Sequence, residues 1–195
     1  MAIHTSSSSP AVSGEPAASP SSMTMGHPVA HLPTPAARGV MAFGRISVGF
    51  IFLWAFLDKA FGLGYMTPPE SAWIRGGVPM TGFIKHELTG PLTGLVTSMN
   101  TPLFNALFML GMLGVGAAMM LGIGTRIAAV AGTFIMAFMW LATWPRGGGE
   151  STNPIVDYHW AYAAILILAA LTYSGRTFGL GVWWEKLVGK QRWLV

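Results

Sequence analysis

Residues 40–62 read VMAFGRISVGFIFLWAFLDKAFG, an apolar run interrupted by Arg45 and closed by Asp58 and Lys59. A helix needs about 20 such residues to cross a hydrocarbon core of ~30 Å. Three further runs follow: 102–123 (PLFNALFMLGMLGVGAAMMLGI), 127–144 (IAAVAGTFIMAFMWLATW) and 157–173 (DYHWAYAAILILAALTY). Together they predict an all-α membrane protein, a four-transmembrane-helix bundle in the 38–180 segment. Charges inside or beside a span are costly, so the few present are the candidates for function.

Composition points the same way. Hydrophobic residues make up 52% of the 195 and charged residues only 9%, where a soluble domain averages about a quarter. Spans, connectors and two tails use nearly the whole chain, leaving no room for a separate soluble catalytic domain. There is no cysteine, which excludes thiolate catalysis, disulfide exchange and cysteine-held metal or iron–sulfur centres. The net charge of +4 is divided among membrane flanks and forms no continuous basic face, so nucleic acid is rejected as a partner.

Residues 1–37, rich in Ser, Pro and Ala, read as a disordered tail, with His4, His27 and His31 as solvated side chains and no signal-peptide pattern. The 63–100 connection is too long for an ordinary loop. Thr67-Pro68-Pro69-Glu70 reads as a capping box, followed by a short helix with Trp73 and Ile74 that stops at Gly76-Gly77. A second amphipathic piece carries Phe83, Ile84 and Leu88 around Lys85, His86 and Glu87. These pieces are expected to cap one end of the bundle. In span two, Gly114, Ala118 and Gly122 form a small-residue row suited to close helix packing. Residues 122–126 make a tight turn, so spans two and three are antiparallel. Asn153-Pro154 reads as the start of span four. Arg45 is expected to snorkel to the interface. Residues 181–195 form an interfacial amphipathic segment with Trp183, Trp184, Leu187 and Val188 on one face and Lys186, Lys190 and Arg192 facing headgroups.

Positive charge orients the spans. Arg38, Arg45, Arg126, Arg176, Lys186, Lys190 and Arg192 share one side; Lys59, Arg75, Lys85 and Arg146 share the other. The expectation is a multi-pass protein of the cell membrane with cytoplasmic N- and C-termini and an extracytoplasmic capping loop. At that outer end Asp58, His86, Asp157 and His159 are candidate catalytic groups, Trp54, Trp144 and Tyr158 candidate cofactor contacts, and Lys59, Lys85 and Arg146 candidate attractors of an anionic substrate. An aromatic slot with a few donors and a carboxylate suits a quinone. Each residue also has a plainer reading, as an interfacial belt or a helix end. No metal or haem is expected; the one conceivable haem arrangement would use His159 and His86. A helix N-terminus should keep His159 neutral and able to bond a quinone oxygen. On an ideal helix Asp157 points elsewhere, so Asp58 or Glu87 is the expected partner of His159.

Several motifs resemble the DoxX/DoxD family of small four-helix membrane proteins. Gly44-Arg45, the run Gly49-Phe50-Ile51-Phe52-Leu53-Trp54 and Asp58-Lys59 are similar to its opening helix. Gly116 and the run Leu121-Gly122-Ile123-Gly124-Thr125-Arg126 are similar to its glycine-rich turn. Asp157-Tyr158-His159-Trp160 and Gly175-Arg176-Thr177-Phe178-Gly179-Leu180-Gly181 resemble the DoxD branch. The resemblance covers roughly 40–185. It implies the membrane subunit of a thiosulfate:quinone oxidoreductase, acting beside a separate partner subunit, DoxA. Other DoxX proteins are linked to redox and oxidative-stress complexes, so the competing expectation is a non-enzymatic accessory or scaffold subunit, with a homo-oligomer also possible. A transporter is less well supported, because no inverted repeat is visible.

Overall fold

The computed structural model describes residues 33–144, 153 and 155–194. The expectations for the 1–32 tail, for Arg146 and for Pro154 fall outside these residues. The described residues are all-helical, with no strand. Helix α1 (Pro35–Phe61) begins at Thr34, whose hydroxyl accepts from the Ala37 N–H, and ends at Gly62 in the left-handed region. Two short helices lie in the 63–100 connection: α2 (Met80–His86) and α3 (Thr93–Ser98). Helix α4 (Pro102–Leu121) starts at Thr101, whose hydroxyl accepts from Phe104 N–H. Helix α5 (Thr125–Thr143) follows, then α6 (Tyr158–Leu171) and α7 (Gly181–Val188).

Helices α1, α4, α5 and α6 enclose one core of Val48, Phe52, Met109, Met112, Val115, Met119, Met136 and Leu166. Each packs on two others in the cyclic order α1–α4–α5–α6. The short turn at 122–124 makes α4 and α5 antiparallel. Its glycines, Gly122 and Gly124, take φ of 71° and 56°, which ordinary residues rarely adopt. Helices α1, α4 and α5 are long and apolar enough to cross a membrane. Helix α6 is apolar but has only 14 residues. The outward side chains are apolar too: Leu103, Leu107 and Leu110 on α4, Val130 and Phe134 on α5, Ile167, Leu168 and Leu171 on α6. An apolar girdle of this extent marks a membrane-associated protein.

The close approach of α1 and α4 differs from the expected small-residue row. Gly114 is exposed, with open space where a Cβ would stand. The contact is made by Gly49 and Gly116 instead. A Cβ on Gly49 would stand 2.9 Å from the Met120 backbone, and one on Gly116 2.6 Å from Leu53 N. Small residues recur often enough along this helix that the sequence alone does not pick the buried face.

Arg45 does not snorkel. It is fully buried. Its guanidinium donates to the carbonyl oxygens of Met119 and Met120 at the end of α4, and to those of Thr177 at 3.1 Å and Phe178 at 3.0 Å. The last carbonyls of a helix lack partners within it and carry the negative end of its dipole. Arg45 supplies two of the missing donors, Leu180 N–H satisfies Leu121, and Gly122 and Ile123 N–H satisfy Ala118. The 173–181 segment folds tightly over this end. Gly175 lies so close to Gly122 that a Cβ on Gly175 would stand 2.2 Å from the Gly122 carbonyl oxygen.

The 63–100 segment caps the opposite end, as expected, although its local structure differs. The helical turn starts at Pro69, which makes Pro68 the N-cap and leaves Thr67 one position too early for a capping box. A second turn spans Trp73–Arg75 and stops at Gly76. Met80, Val96 and Ala142 then form a small core with Phe83, Leu88, Phe104 and Phe138. Asn105 accepts from Met80 N–H at 2.9 Å and donates to Asn100 Oδ1 and the Thr101 carbonyl. Gly90 N–H and the Thr89 hydroxyl satisfy the carbonyls of Ala142 and Thr143 at the end of α5. One end of the bundle is thus closed by side-chain and main-chain bonds from a single connection.

Candidate functional site

The start of α6 is the chemically distinctive place in the fold. Residues 155–157 are not yet helical. Asn153 Oδ1 accepts from the N–H groups of Ile155 and Val156, making a turn rather than the expected helix start. The helix begins at Tyr158 and its N-cap is Asp157, with extended φ and ψ of −128° and −168°. Asp157 Oδ1 accepts from His159 N–H at 3.0 Å, satisfying a free amide of the first turn.

The other oxygen, Asp157 Oδ2, lies 2.9 Å from His159 Nδ1, and both side chains are only 2% exposed. This corrects the expectation that the partner of His159 comes from another element. That expectation assumed helical spacing for Asp157. As an N-cap residue it is free of that spacing, so its carboxylate folds back over the first turn. The alternative partner Asp58 is occupied elsewhere: its oxygens accept from Tyr65 N–H at 3.2 Å and Met66 N–H at 3.0 Å. Asp58 therefore holds the chain as it leaves α1.

His159 Nε2 is buried and has no hydrogen-bond partner among the described residues. A buried polar atom left unpaired costs roughly 1–3 kcal/mol; Arg45 Nε and Thr133 Oγ1 share this state elsewhere in the bundle, and Nε2 is the one that sits beside a carboxylate at the start of α6. One aromatic ring covers the histidine and others lie beyond it. Tyr158 stacks on the imidazole with centroids 4.1 Å apart, and Tyr162 lies 5.6 Å from Tyr158. Trp160 meets Trp140 edge to face at 5.4 Å, and Trp140 Nε1 donates to the Ile155 carbonyl at 2.9 Å. That last bond ties the end of α5 to the turn that leads into α6. Glu87, just past α2, lies within electrostatic reach of Tyr158.

The remaining candidates are more dispersed. Trp54 packs on Tyr65 edge to face at 5.2 Å and on Phe50 at 5.9 Å, beside Asp58 rather than on the histidine. Lys59 is half-buried at the end of α1. Lys85 and His86 are exposed in the last turn of α2, and Trp144 is exposed at the end of α5. Hence Asp157, Tyr158 and His159 come together in one contact group, whereas Asp58, Trp54 and His86 do not join it. Tyr162 adjoins this group through Tyr158, and Trp140 and Trp160, which contact each other, reach the entry to α6 through the bond from Trp140 to Ile155. In the sequence these three rings lie at or near the facing ends of spans three and four, flanking one histidine. No group of three or more His, Asp or Glu residues suited to a metal ion occurs among the described residues.

Chemically, a carboxylate bonded to Nδ1 fixes the orientation of an imidazole and leaves Nε2 to act as acid, base or hydrogen-bonding group. Comparison with family models, with curated proteins and with solved structures finds no match.

Proposed function

We propose that this protein is the membrane subunit of a thiosulfate:quinone oxidoreductase-type system, passing electrons to a quinone. The observation that carries the reading is the buried Asp157–His159 pair, whose Nε2 has no hydrogen-bond partner among the described residues, at the end of an apolar bundle. A quinone ring and tail favour an apolar, aromatic approach from the bilayer, and its oxygens need one or two polar groups. Tyr158 and Trp160 supply the first; His159 is the polar group that would meet the headgroup. Two thiosulfate ions that join through a new S–S bond release two electrons, and a quinone takes up two electrons and two protons to become the quinol. Lys59 and Lys85 would draw the anion to this end. Electrons would arrive directly or through a separate partner subunit, as in the DoxX/DoxD family that the motifs resemble.

In this reading α6 is the fourth crossing. Fourteen residues span about 21 Å, and the segments at 155–157 and 172–176 extend the path. Non-helical backbone at membrane depth is tolerated where protein covers it. Arg126, Arg176, Lys186 and Lys190 lie at the end of the bundle where α4 meets α5, and the acids Asp58, Glu70, Glu87 and Asp157 at the other. The first end would face the cytoplasm together with both termini, and the 63–100 cap would face outward.

The test is thiosulfate-dependent quinone reduction by purified protein, with and without co-purifying chains. Turnover in either preparation supports the reading; none in both sinks it. The exposed row Leu103, Leu107, Leu110 and Gly114 on α4 favours a second reading, an accessory or scaffold subunit of a membrane complex. Recovery of a stable complex in mild detergent, unaffected by quinone, would select that alternative.

A further inference from the structure

We infer that the Asp157–His159 pair selects the hydroxyl-bearing, reduced form of its ligand: a hydroquinone rather than a quinone. The inference rests on the proposal that this site meets a quinone headgroup, and it specifies which redox form fits the empty valence of the histidine.

Asp157 sits at the positive end of α6, and its Oδ1 already accepts a backbone N–H. A carboxylate accepts hydrogen bonds and donates none. The 2.9 Å contact with Nδ1 therefore requires the proton on Nδ1. In a neutral imidazole only one ring nitrogen carries hydrogen. His159 Nε2 is then a bare lone pair, buried and without a donor among the described residues.

A quinone oxygen is also an acceptor, so it cannot bond to that lone pair. A neutral His159 is thus not, as its place at a helix N-terminus suggests, a donor to a quinone oxygen. A hydroquinone hydroxyl donates to it directly. The quinone form needs an added proton on Nε2, giving an imidazolium beside the Asp157 carboxylate. The neutral pair therefore holds the product of reduction, and the chain favours the quinol side of the couple by the placement of a single proton.

The experiment uses the whole protein in detergent under anaerobic conditions. A short-chain benzoquinone and its hydroquinone are titrated separately at pH 8, where free imidazole is neutral. One well-formed hydrogen bond against an acceptor–acceptor clash should give roughly tenfold tighter binding of the hydroquinone, the factor that corresponds to about 1.4 kcal/mol. Nitrogen-15 spectra of labelled protein, with the His159 signals identified by their loss in His159→Gln, should show a protonated Nδ1 and an unprotonated Nε2. The Asp157→Asn side chain can also bond Nδ1 as a donor, which moves the proton to Nε2, so the preference should shrink or invert.

Equal binding of the two forms, tighter quinone binding, or a proton on Nε2 in the native protein would overturn the inference while leaving a quinone site in place. Binding of neither form overturns the quinone-site reading, and this inference falls with it. The native titration and spectrum need no variant, so a misfolded Asp157→Asn protein does not remove the test.

Discussion

Arg45, eleven residues into α1, donates through its buried guanidinium to the carbonyl oxygen of Met119, in the last turn of α4. One cation thereby closes the C-terminal end of a neighbouring helix and, through Thr177 and Phe178, holds the segment that follows α6. All the bonds it makes go to peptide carbonyls and none to a carboxylate. Arg45→Ala should leave several buried carbonyls unpaired and lower stability in detergent by about 3 kcal/mol or more. Arg45→Lys, which keeps the charge but not the forked geometry, should recover only part of it. Thermal unfolding followed by tryptophan fluorescence measures both.

Gly116 tests the α1–α4 contact. Its Cβ would stand 2.6 Å from Leu53 N, and backbone cannot move aside as a side chain can. Gly116→Val should cost about 1–3 kcal/mol by forcing the helices apart. Gly114→Val, two residues earlier on the exposed face, should change stability by less than about 0.5 kcal/mol. Similar losses at both positions would show that the packing face is misassigned.

Asn105 fixes the cap. Asn105→Ala frees Met80 N–H and unties Asn100, at an expected cost of about 1–3 kcal/mol. Because the loss is local to the connection, amide exchange should quicken over residues 80–100 and stay slow in the centres of α1 and α4. Uniform acceleration along the chain would contradict the local role.

The long apolar elements were legible because hydropathy over some twenty residues is a strong, additive signal. The 122–126 turn was legible because Gly122 and Gly124 sit where positive φ is needed. What escaped was set by single contacts. Arg45 was read as snorkelling because its depth depends on which carbonyls a distant segment presents, and Thr177 and Phe178 lie more than 130 residues away. The close-packing face of α4 was misplaced by two residues because Gly111, Gly114, Gly116 and Ala118 offer several equivalent rows. The Asp157–His159 pair was missed through a boundary. The helix begins at Tyr158 rather than after Asn153, and that shift turns a carboxylate expected to point away into the cap that bonds the imidazole.

The absence of native cysteine gives a clean test of sidedness. Glu70 is exposed on the cap. A Glu70→Cys protein should react with a membrane-impermeant maleimide in intact cells. A cysteine replacing exposed Lys190 should react only after the membrane is opened. The reverse pattern would invert the orientation and place the Asp157–His159 end in the cytoplasm.

His159→Phe separates a ligand-binding histidine from a structural one. The substitution roughly keeps ring volume in a site that is 2% exposed, so little cavity is created. It removes both nitrogens. Asp157 Oδ2 then loses the Nδ1–H donor, while Oδ1 keeps the bond to the residue 159 backbone that caps α6. The unpaired oxygen should lower stability by ~1–3 kcal/mol, leaving a folded, inserted protein. Asp157→Ala should lower it further, because the N-cap bond is lost as well, at about 1 kcal/mol more. If Nε2 is the atom that meets the ligand, His159→Phe abolishes benzoquinone and hydroquinone binding despite its smaller effect on stability. If the histidine only braces the start of α6, binding should track stability instead, with Asp157→Ala the more impaired of the two and His159→Phe still binding in the folded fraction. Melting temperature and ligand titration on the same two preparations decide between these orders.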